Sequence, residues 1–463
     1  MVSTRRLASS VLLATFLAAW DSTVVGTIGP SIAQHLGGLA WYPWMLTGFM
    51  IAATVITPLV GHLTSEYPPE SLYRGSIAIF LLGSIGSASA LSMGWFIATR
   101  ILQGIGAGGI LTLGLILTGQ YYQGLERIRM QGRLSAMWGL AGLLGPTLGG
   151  MMAQWVSWRG LFVINVLIGT AAFAALGPLA STVRPTKGTV DWAGALWLAG
   201  GLTAGVSSVT AFQQDPRSIL GWILLGMAVG LGLGWWRTER HSSHPLIPLN
   251  WLKDPRITVP SLLAMTAGGT LYAAVLIIPL WLHIAWQFSP VDVGLAILPL
   301  PVGWAAGSLA TAPIMERMRL SSTVQAGMVG IIAGMSLNEF AGGHSHWLWI
   351  VLGGTLLGIG VGVVIMATLN SVQSKIPRDE LGSATGLYNL GRTLGNTLGP
   401  GVIGGLVLLL WKLSSGTHST QEVLSFTQAV HQVFSGVLIL WAILLIVAVT
   451  NQNRHPIRGD GKT

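Results

Sequence analysis

Only 8% of the 463 residues are Asp, Glu, Lys or Arg, against about 25% in ordinary soluble domains, and the mean hydropathy is +0.65. This composition excludes a soluble globular domain and predicts an all-α polytopic membrane protein, with 63 glycines available for close helix approach. The absence of cysteine excludes disulfides, Cys-ligated metals and thiol catalysis, while the net charge of +9 has to be explained by its distribution.

Apolar runs long enough for a hydrocarbon core of about 30 Å recur fourteen times. They lie near residues 7–29, 42–62, 75–94, 96–118, 133–155, 161–181, 191–211, 218–236, 257–280, 293–314, 322–342, 346–369, 385–410 and 431–450. With the N-terminus in the cytoplasm, nineteen Lys and Arg fall in inside segments and three (Arg159, Arg217 and Lys412) outside. The positive-inside rule therefore supports fourteen spans with both termini cytoplasmic. The positive charge is topological and implies no nucleic-acid partner. The basic N-terminus precedes an apolar run too long for a signal-peptide core, with no A-x-A-like site after it, so it reads as a retained first span.

That first span carries Asp21, the one acid of fifteen that lies well inside a predicted span. An ionised Asp at such depth costs about 2.5–3.5 kcal/mol, so it is expected to be protonated, paired or facing a water-filled cavity. Trp20, next to it, is a candidate for lining that cavity. The fourth span reads R-I-L-Q-G-I-G-A-G-G (100–109). Arg100 and Gln103 share one helical face, and Gly104 and Gly108 open a small-xxx-small seam. An arginine cannot discharge, so at membrane depth it needs an acceptor. A rise of ~1.5 Å per residue puts Asp21 about 12 Å and Arg100 about 8 Å below the outer boundary, which permits contact. The alternative is an unpaired arginine snorkelling to the outer interface.

In the fifth span, Gly139, Gly142, Gly145 and Gly149 are expected to form a groove on one side, and Pro146 removes a backbone hydrogen bond mid-membrane. Spans seven and eight have few polar interior residues and read as a peripheral pair. Arg392, in YNLGRTLGNTLGP, is the one charge within the spans of the second half. It suits either an acidic substrate group or the cytoplasmic ends of neighbouring helices. Trp41, Trp44, Trp95, Trp155 and Trp158 sit at span ends and read as interface anchors. His344-Ser345-His346 lacks an acidic partner for a metal, and the terminal GDGKT lacks the strand and helix of a phosphate loop, so it reads as a solvated tail.

Several of these stretches resemble one family. W-D-S-T-V-V-G-T-I-G-P (20–30) is similar to the L-D-x-T-x-V-N-V-A-L-P signature of the fourteen-span drug:proton antiporter branch of the major facilitator superfamily. Asp21, Thr23, Val25 and Pro30 match, while Trp20 replaces Leu and Gly26 replaces Asn. The fourth span matches the R-x-x-Q-G-x-G pattern in full. Gly145-Pro146 and Gly149-Gly150 resemble the G-P-x-x-G-G element of antiporters, and SWRGLFVIN (157–165) resembles W-R-W-x-F-x-I-N, ending on Asn165. The loop GHLTSEYPPESLYRG (61–75) departs from the gate-loop pattern G-x-L-x-D-R-x-G-R-[KR]. It keeps Gly61 and Leu63 but has Ser65, Glu66 and Pro69-Glu70 at the charged positions, so either Arg74 takes over the charge role or the gate is weak. GPGVIGG (399–405) answers GPTLGG (145–150), as expected of a two-half repeat.

The resemblance implies a major facilitator fold of two six-helix bundles (1–183 and 251–463) plus two inserted transmembrane helices (184–250). It implies a proton-coupled exporter of small lipophilic or amphipathic organic compounds, acting as a monomer in the cell membrane. Asp21 would carry the proton, supported by Arg100 and Gln103, with Gly139, Gly142, Gly145, Pro146, Gly149 and Gly150 as the antiporter element. Trp20, Thr23, Asn165 and Arg392 are the substrate-cavity candidates. The partners are substrate, protons and lipid; no metal or cofactor is expected beyond the proton gradient. An uptake symporter or facilitator of the same fold is the alternative, separable by transport direction. A membrane enzyme or sensor would call for clustered His or acidic residues in spans, or a soluble domain, and has neither. With no second acid in the later spans, apart from Glu339 near the outer end of span eleven, neutral, monocationic or zwitterionic compounds are the expected substrates.

Overall fold

A computed structural model of the chain describes residues 4–37, 42–64, 66–155, 157–176, 192–215, 217–242, 251–288, 290–341, 346–377, 380–414 and 419–454. Among the described residues all regular structure is helical. The first bundle comprises α1 (Thr4–Leu36), α2 (Tyr42–Leu63), α3 (Pro69–Ala88), α4 (Met93–Tyr121), α5 (Gly124–Trp155) and α6 (Arg159–Leu176). A pair follows, α7 (Trp192–Gln214) and α8 (Ile219–His241). The second bundle comprises α9 (Pro255–Trp286), α10 (Pro290–Ile297), α11 (Pro299–Arg317), α12 (Leu320–Glu339), α13 (Leu348–Lys375), α14 (Leu381–Ser414) and α15 (Ser419–Arg454). Ten of these stretches, among the described residues, are long and apolar enough to cross a membrane.

Each of the fourteen expected spans corresponds to helix, with two local differences. The tenth is in two pieces, α10 and α11, because Pro299 starts a new helix directly after Leu298. The third begins at Pro69, six residues earlier than expected, since proline at the first helical position has no N–H to lose. Much of the 61–75 loop is therefore helix, with Glu70 in the favourable first turn of α3. Side chains cap the starts of other helices: Ser92 accepts from the Trp95 N–H, and Asp254 from the Arg256 N–H. Arg256 also hydrogen-bonds the Asp254 carboxyl through its side chain, which holds that carboxyl below the usual carboxylate range.

Helix pairing repeats between the bundles. In the first, α1 packs on α5 and α6, α4 on α2 and α3, and α3 on α6. In the second, α9 packs on α14 and α15, α13 on α11 and α12, and α12 on α15. The halves meet reciprocally, α5 on α11 and α14 on α2. Glycine spacing produces the match. A Cβ on Gly104 or Gly108 would run into the backbone of α2, and one on Gly106 into Phe80 of α3. In the second half Gly358 and Gly362 meet α11 in the same way, and Gly360 meets α12. α4 and α13 are thus wedges with glycine on both flanks, brought to backbone contact by the small-residue rule of membrane bundles.

The α7–α8 pair lies to one side: α7 touches α2 and α14, and only 6% of the apolar window of α8 is buried, against 78% for α4. Ile219, Leu220, Trp222 and Leu233 of α8 are exposed, which suits a lipid-facing helix. Trp158 differs from expectation. It is 2% exposed and packs edge-on against Phe96 and Phe162, so it belongs to the core, whereas Trp44 and Trp95 are exposed at helix ends as anchors should be. Trp41, His344 and Ser345 and the terminal GDGKT lie outside the described residues, and so do the surroundings of Trp155.

Close approach of α9 and α14 depends on Gly395, where a Cβ would overlap the Met265 carbonyl. Gly395→Val is expected to cost about 1–3 kcal/mol, the range for forced overpacking. Gly405→Ala on the same helix, with open space beside it, should be neutral. Thermal unfolding in detergent compares the two.

Candidate functional site

α1, α4 and α6 converge on Asp21, which is 1% exposed. Arg100 of α4 places Nη1 2.5 Å from Asp21 Oδ2, and both side chains are fully buried. The same nitrogen donates to Gln103 Oε1 at 2.7 Å, while Gln103 Nε2 donates to Asp21 Oδ1 at 3.0 Å and to Ser84 Oγ at 2.8 Å. Asn165 of α6 donates Nδ2 to Asp21 Oδ1 at 2.7 Å. The guanidinium lies 4.3 Å from the centre of the Phe49 ring, and Arg100 Nε reaches the Met45 carbonyl. The permitted contact between Asp21 and Arg100 is therefore made, with no snorkelling.

Helical spacing explains who takes part. Arg100 and Gln103, three apart, point the same way, and Gly83 lets α3 touch α4 at Gln103, bringing Ser84 within reach. The carboxyl group accepts three hydrogen bonds, one at Oδ2 and two at Oδ1. Asn165 Oδ1 and Arg100 Nη2 have no partner among the described residues, which leaves the cluster one free acceptor and one free donor.

The other expected site residues are placed differently. Trp20 is 3% exposed and stacks on Phe16 within an apolar cluster that includes Val24 and Phe96. Thr23 donates to the Ala141 carbonyl of α5 at 3.1 Å, so it lies in the α1–α5 seam. The span-five glycines do not share one side. Gly139 and Gly142 face Ala305 and Pro301 of α11, whereas a Cβ on Gly145 would overlap Thr23 Oγ1 of α1. Six residues of a 3.6-residue helix turn Gly145 well away from Gly139, which is why the expected single groove divides in two. Gly149 is buried; the surroundings of Pro146 and Gly150 lie outside the described residues. Arg392 lies in α14 of the second half, with Nε and Nη2 donating to Asn389 Oδ1.

Comparison with known proteins decides the family. A sequence model of the Major Facilitator Superfamily matches residues 11–236 and 260–462. The chain belongs to that superfamily. It is 27% identical over 415 residues to "Efflux pump FUS6" of Gibberella moniliformis, covering 84% of this chain and 71% of that protein. It is 25% identical over 407 residues to "Multidrug transporter protein MdtP" of Bacillus subtilis, covering 87% and 75%. In fold it resembles the crystal structure of the human organic anion transporter MFSD10, with TM-score 0.67, 16% identity, and coverage of 96% of this chain and 100% of that one. Members of the superfamily are transporters, so this chain is a multi-pass membrane transporter and not an enzyme.

In this major facilitator the two halves are tied at the end bearing the α2–α3 and α4–α5 turns. Arg127 donates to Asn370 Oδ1 at 2.7 Å and to the Gln373 carbonyl at 3.2 Å, and Gln131 donates to Gln373 Oε1 at 2.7 Å. Arg129 pairs with Glu316 across the same seam, an exposed pair worth at most about 1 kcal/mol. Residues of the 61–75 stretch play other parts. Glu70 accepts from the Tyr121 hydroxyl within the first half, Arg74 lies near the Phe173 ring, and Gly61 gives α2 its backbone contact with Gly386 of α14. A cavity of about 490 Å³ opens beside the ties, lined by Gly119, Gln123, Arg127, Asn370 and Gln373.

Removing one member of a buried ion pair strands the other, at about 3–5 kcal/mol. Arg100→Met should therefore destabilise the protein by that order, and the double variant Asp21→Asn/Arg100→Met should recover most of the loss. Thermal unfolding in detergent checks it; equal loss in both would mean that the two charges do not depend on each other.

Proposed function

We propose that this chain is a proton-coupled exporter of the fourteen-span drug:proton antiporter branch, with Asp21 as the proton carrier. The observation that carries the reading is a fully buried carboxyl group well inside the first span, held by three donors on two other helices. As placed, Arg100, Gln103 and Asn165 all offer hydrogens to Asp21. A proton on the second lone pair of Oδ2 turns the carboxyl into a donor that needs an acceptor and removes the charge that holds the Arg100 guanidinium. Rotation of the Asn165 amide, whose Oδ1 is free, would supply the new O–H with an acceptor.

That rearrangement has a route to the rest of the molecule. Asp21 rides on α1, and α1 is seated on α5 through Thr23 and Gly145. The opposite side of α5 carries Gly139 and Gly142, which pack on α11 of the second half. A change in the seating of α1 therefore bears on the seam where two rigid halves rock during alternating access. The driving force suffices: one pH unit supplies about 1.4 kcal/mol per proton and 100 mV about 2.3 kcal/mol per net charge. Together they sustain a gradient of several hundredfold, to order of magnitude, for one-to-one exchange of a neutral compound.

On this reading the protein is a monomer of the cell membrane with both termini cytoplasmic, built as 1–183 and 251–463, with 184–250 dispensable to the two-half core. The names of the relatives, efflux pump and multidrug transporter, favour export over uptake. Two variants test it in proteoliposomes under an imposed pH gradient. Asp21→Asn mimics the protonated form and should lose proton-driven efflux while keeping at least part of substrate binding; continued pumping against a gradient would remove Asp21 as carrier. Gly145→Val should insert and fold but lose exchange, because its side chain forces α1 from α5. Normal efflux from that variant would reduce the glycine to packing.

A further inference from the structure

Asp21 and Arg100 neutralise one another, which leaves a second intramembrane arginine to account for. Arg392 lies eleven residues into α14, about 17 Å along the helix from Leu381. Its only partner among the described residues is a neutral amide, Asn389 Oδ1, reached at 3.1 Å from Nε and 2.7 Å from Nη2. Nη1 makes no hydrogen bond among the described residues and is not fully buried, and the residue keeps partial exposure although it lies well inside α14. A second free donor stands close by. The hydroxyl of half-buried Tyr272 on α9 makes no hydrogen bond among the described residues, and Tyr272 follows by one turn Gly268, where a Cβ would lie 3.2 Å from the Arg392 carbonyl. The nearby Tyr388 hydroxyl is already engaged, with Thr368 and the Ile365 carbonyl.

The internal repeat says which way this position faces. A constant offset of 254 residues relates Gly104, Gly106, Gly108 and Gly145 to Gly358, Gly360, Gly362 and Gly399. The same offset relates Trp138 to Arg392. Trp138 of α5 faces the other half, tilted against Trp304 of α11 with ring centres 6.0 Å apart. Arg392 looks into the seam from the opposite side, and Asn389, which it grips, donates across that seam to Thr112 Oγ1 of α4 at 3.0 Å. Arginine keeps its charge at any working pH, and an uncompensated cation at membrane depth calls for a counter-charge.

We propose that Arg392 Nη1 and the Tyr272 hydroxyl form a binding site for the acidic group of the transported compound, so that the substrates include organic anions bearing a carboxylate, sulfonate or phosphate. The inference rests on the exporter reading and revises the expectation of neutral or cationic substrates. A planar guanidinium with one free edge suits such oxyanions, and a tyrosine donor beside it fixes their orientation. Exchange of one monoanion for one proton moves two positive charges inward, so an interior-negative potential accelerates it, whereas one-to-one exchange of a monocation is electroneutral.

The test uses proteoliposomes whose lumen stands for the cytoplasm, with carboxyfluorescein as the anionic probe and ethidium as the cationic one. Wild-type protein should export carboxyfluorescein under a pH gradient, faster when the lumen is made negative. Arg392→Gln should slow it by about tenfold or more, the scale of one hydrogen bond to a charged group, and leave ethidium export little changed. Arg392→Lys, which keeps the charge, should retain part of the carboxyfluorescein rate and guards against a variant that merely misfolds. Equal loss of both probes in Arg392→Gln and Arg392→Lys would make the arginine a structural part of the seam and overturn the proposal. Wild-type protein that moves ethidium but not carboxyfluorescein overturns the anion assignment and leaves the exporter reading standing; protein that moves neither overturns both.

Discussion

The ion pair between Asp21 and Arg100 is the constraint on which the rest depends. Neither charge tolerates the bilayer core alone, and together they still need their remaining hydrogen-bonding capacity met. Gln103, Asn165 and Ser84 meet much of it, and each arrives from a helix that glycine packing holds at the right distance. A polar cluster of this kind is costly to assemble and sensitive to a single proton. Apolar residues would stabilise the same junction more cheaply, and that cost is what the proposed coupling role accounts for.

Glycine register supplies the second half of the physical picture. α4 and α13 are clamped on two flanks by backbone contact, so each bundle behaves as a stiff body. The bundles meet at the seams where α5 packs on α11 and α14 on α2, and there too glycine allows close approach, at Gly61 against Gly386 and at Gly132 against Ser308. The ties at one end of those seams are hydrogen bonds among Arg127, Asn370, Gln131 and Gln373, plus one exposed ion pair. The exposed pair contributes at most about 1 kcal/mol, whereas the buried hydrogen bonds of the Arg127 guanidinium are of the stronger, charge-assisted kind.

Much of this was legible in the sequence because the membrane imposes simple rules. Hydropathy and the positive-inside count located fourteen helical stretches, and the cost of burying charge singled out Asp21 and Arg100. Gln103 followed from its three-residue spacing. Asn165 was legible only as part of a motif and was assigned to the substrate cavity; its contact with Asp21 depends on how α6 packs on α1, which spacing within one helix does not encode. Ser84 and Phe49 left no signal for the same reason. The glycines of span five were read as one groove because each is small, but rotation along the helix sends Gly139 to α11 and Gly145 to α1. The degenerate 61–75 loop left open whether Arg74 takes over the charge role or the gate is weak; the contact of Arg127 with Gln373, which ties the halves at that end, joins residues 246 apart in the chain, beyond the reach of any local pattern.

Whether Asp21 takes up the proton is open to direct observation. Infrared difference spectra of the reconstituted protein, acid minus neutral, report the carbonyl stretch of any carboxyl that becomes protonated. Proton uptake at Asp21 predicts a band in the wild type that is missing from Asp21→Asn and shifted in Asn165→Leu, where a hydrogen-bonding partner is gone. An identical band in wild type and Asp21→Asn would show that another group binds the proton, and would contradict the role assigned to the carboxylate.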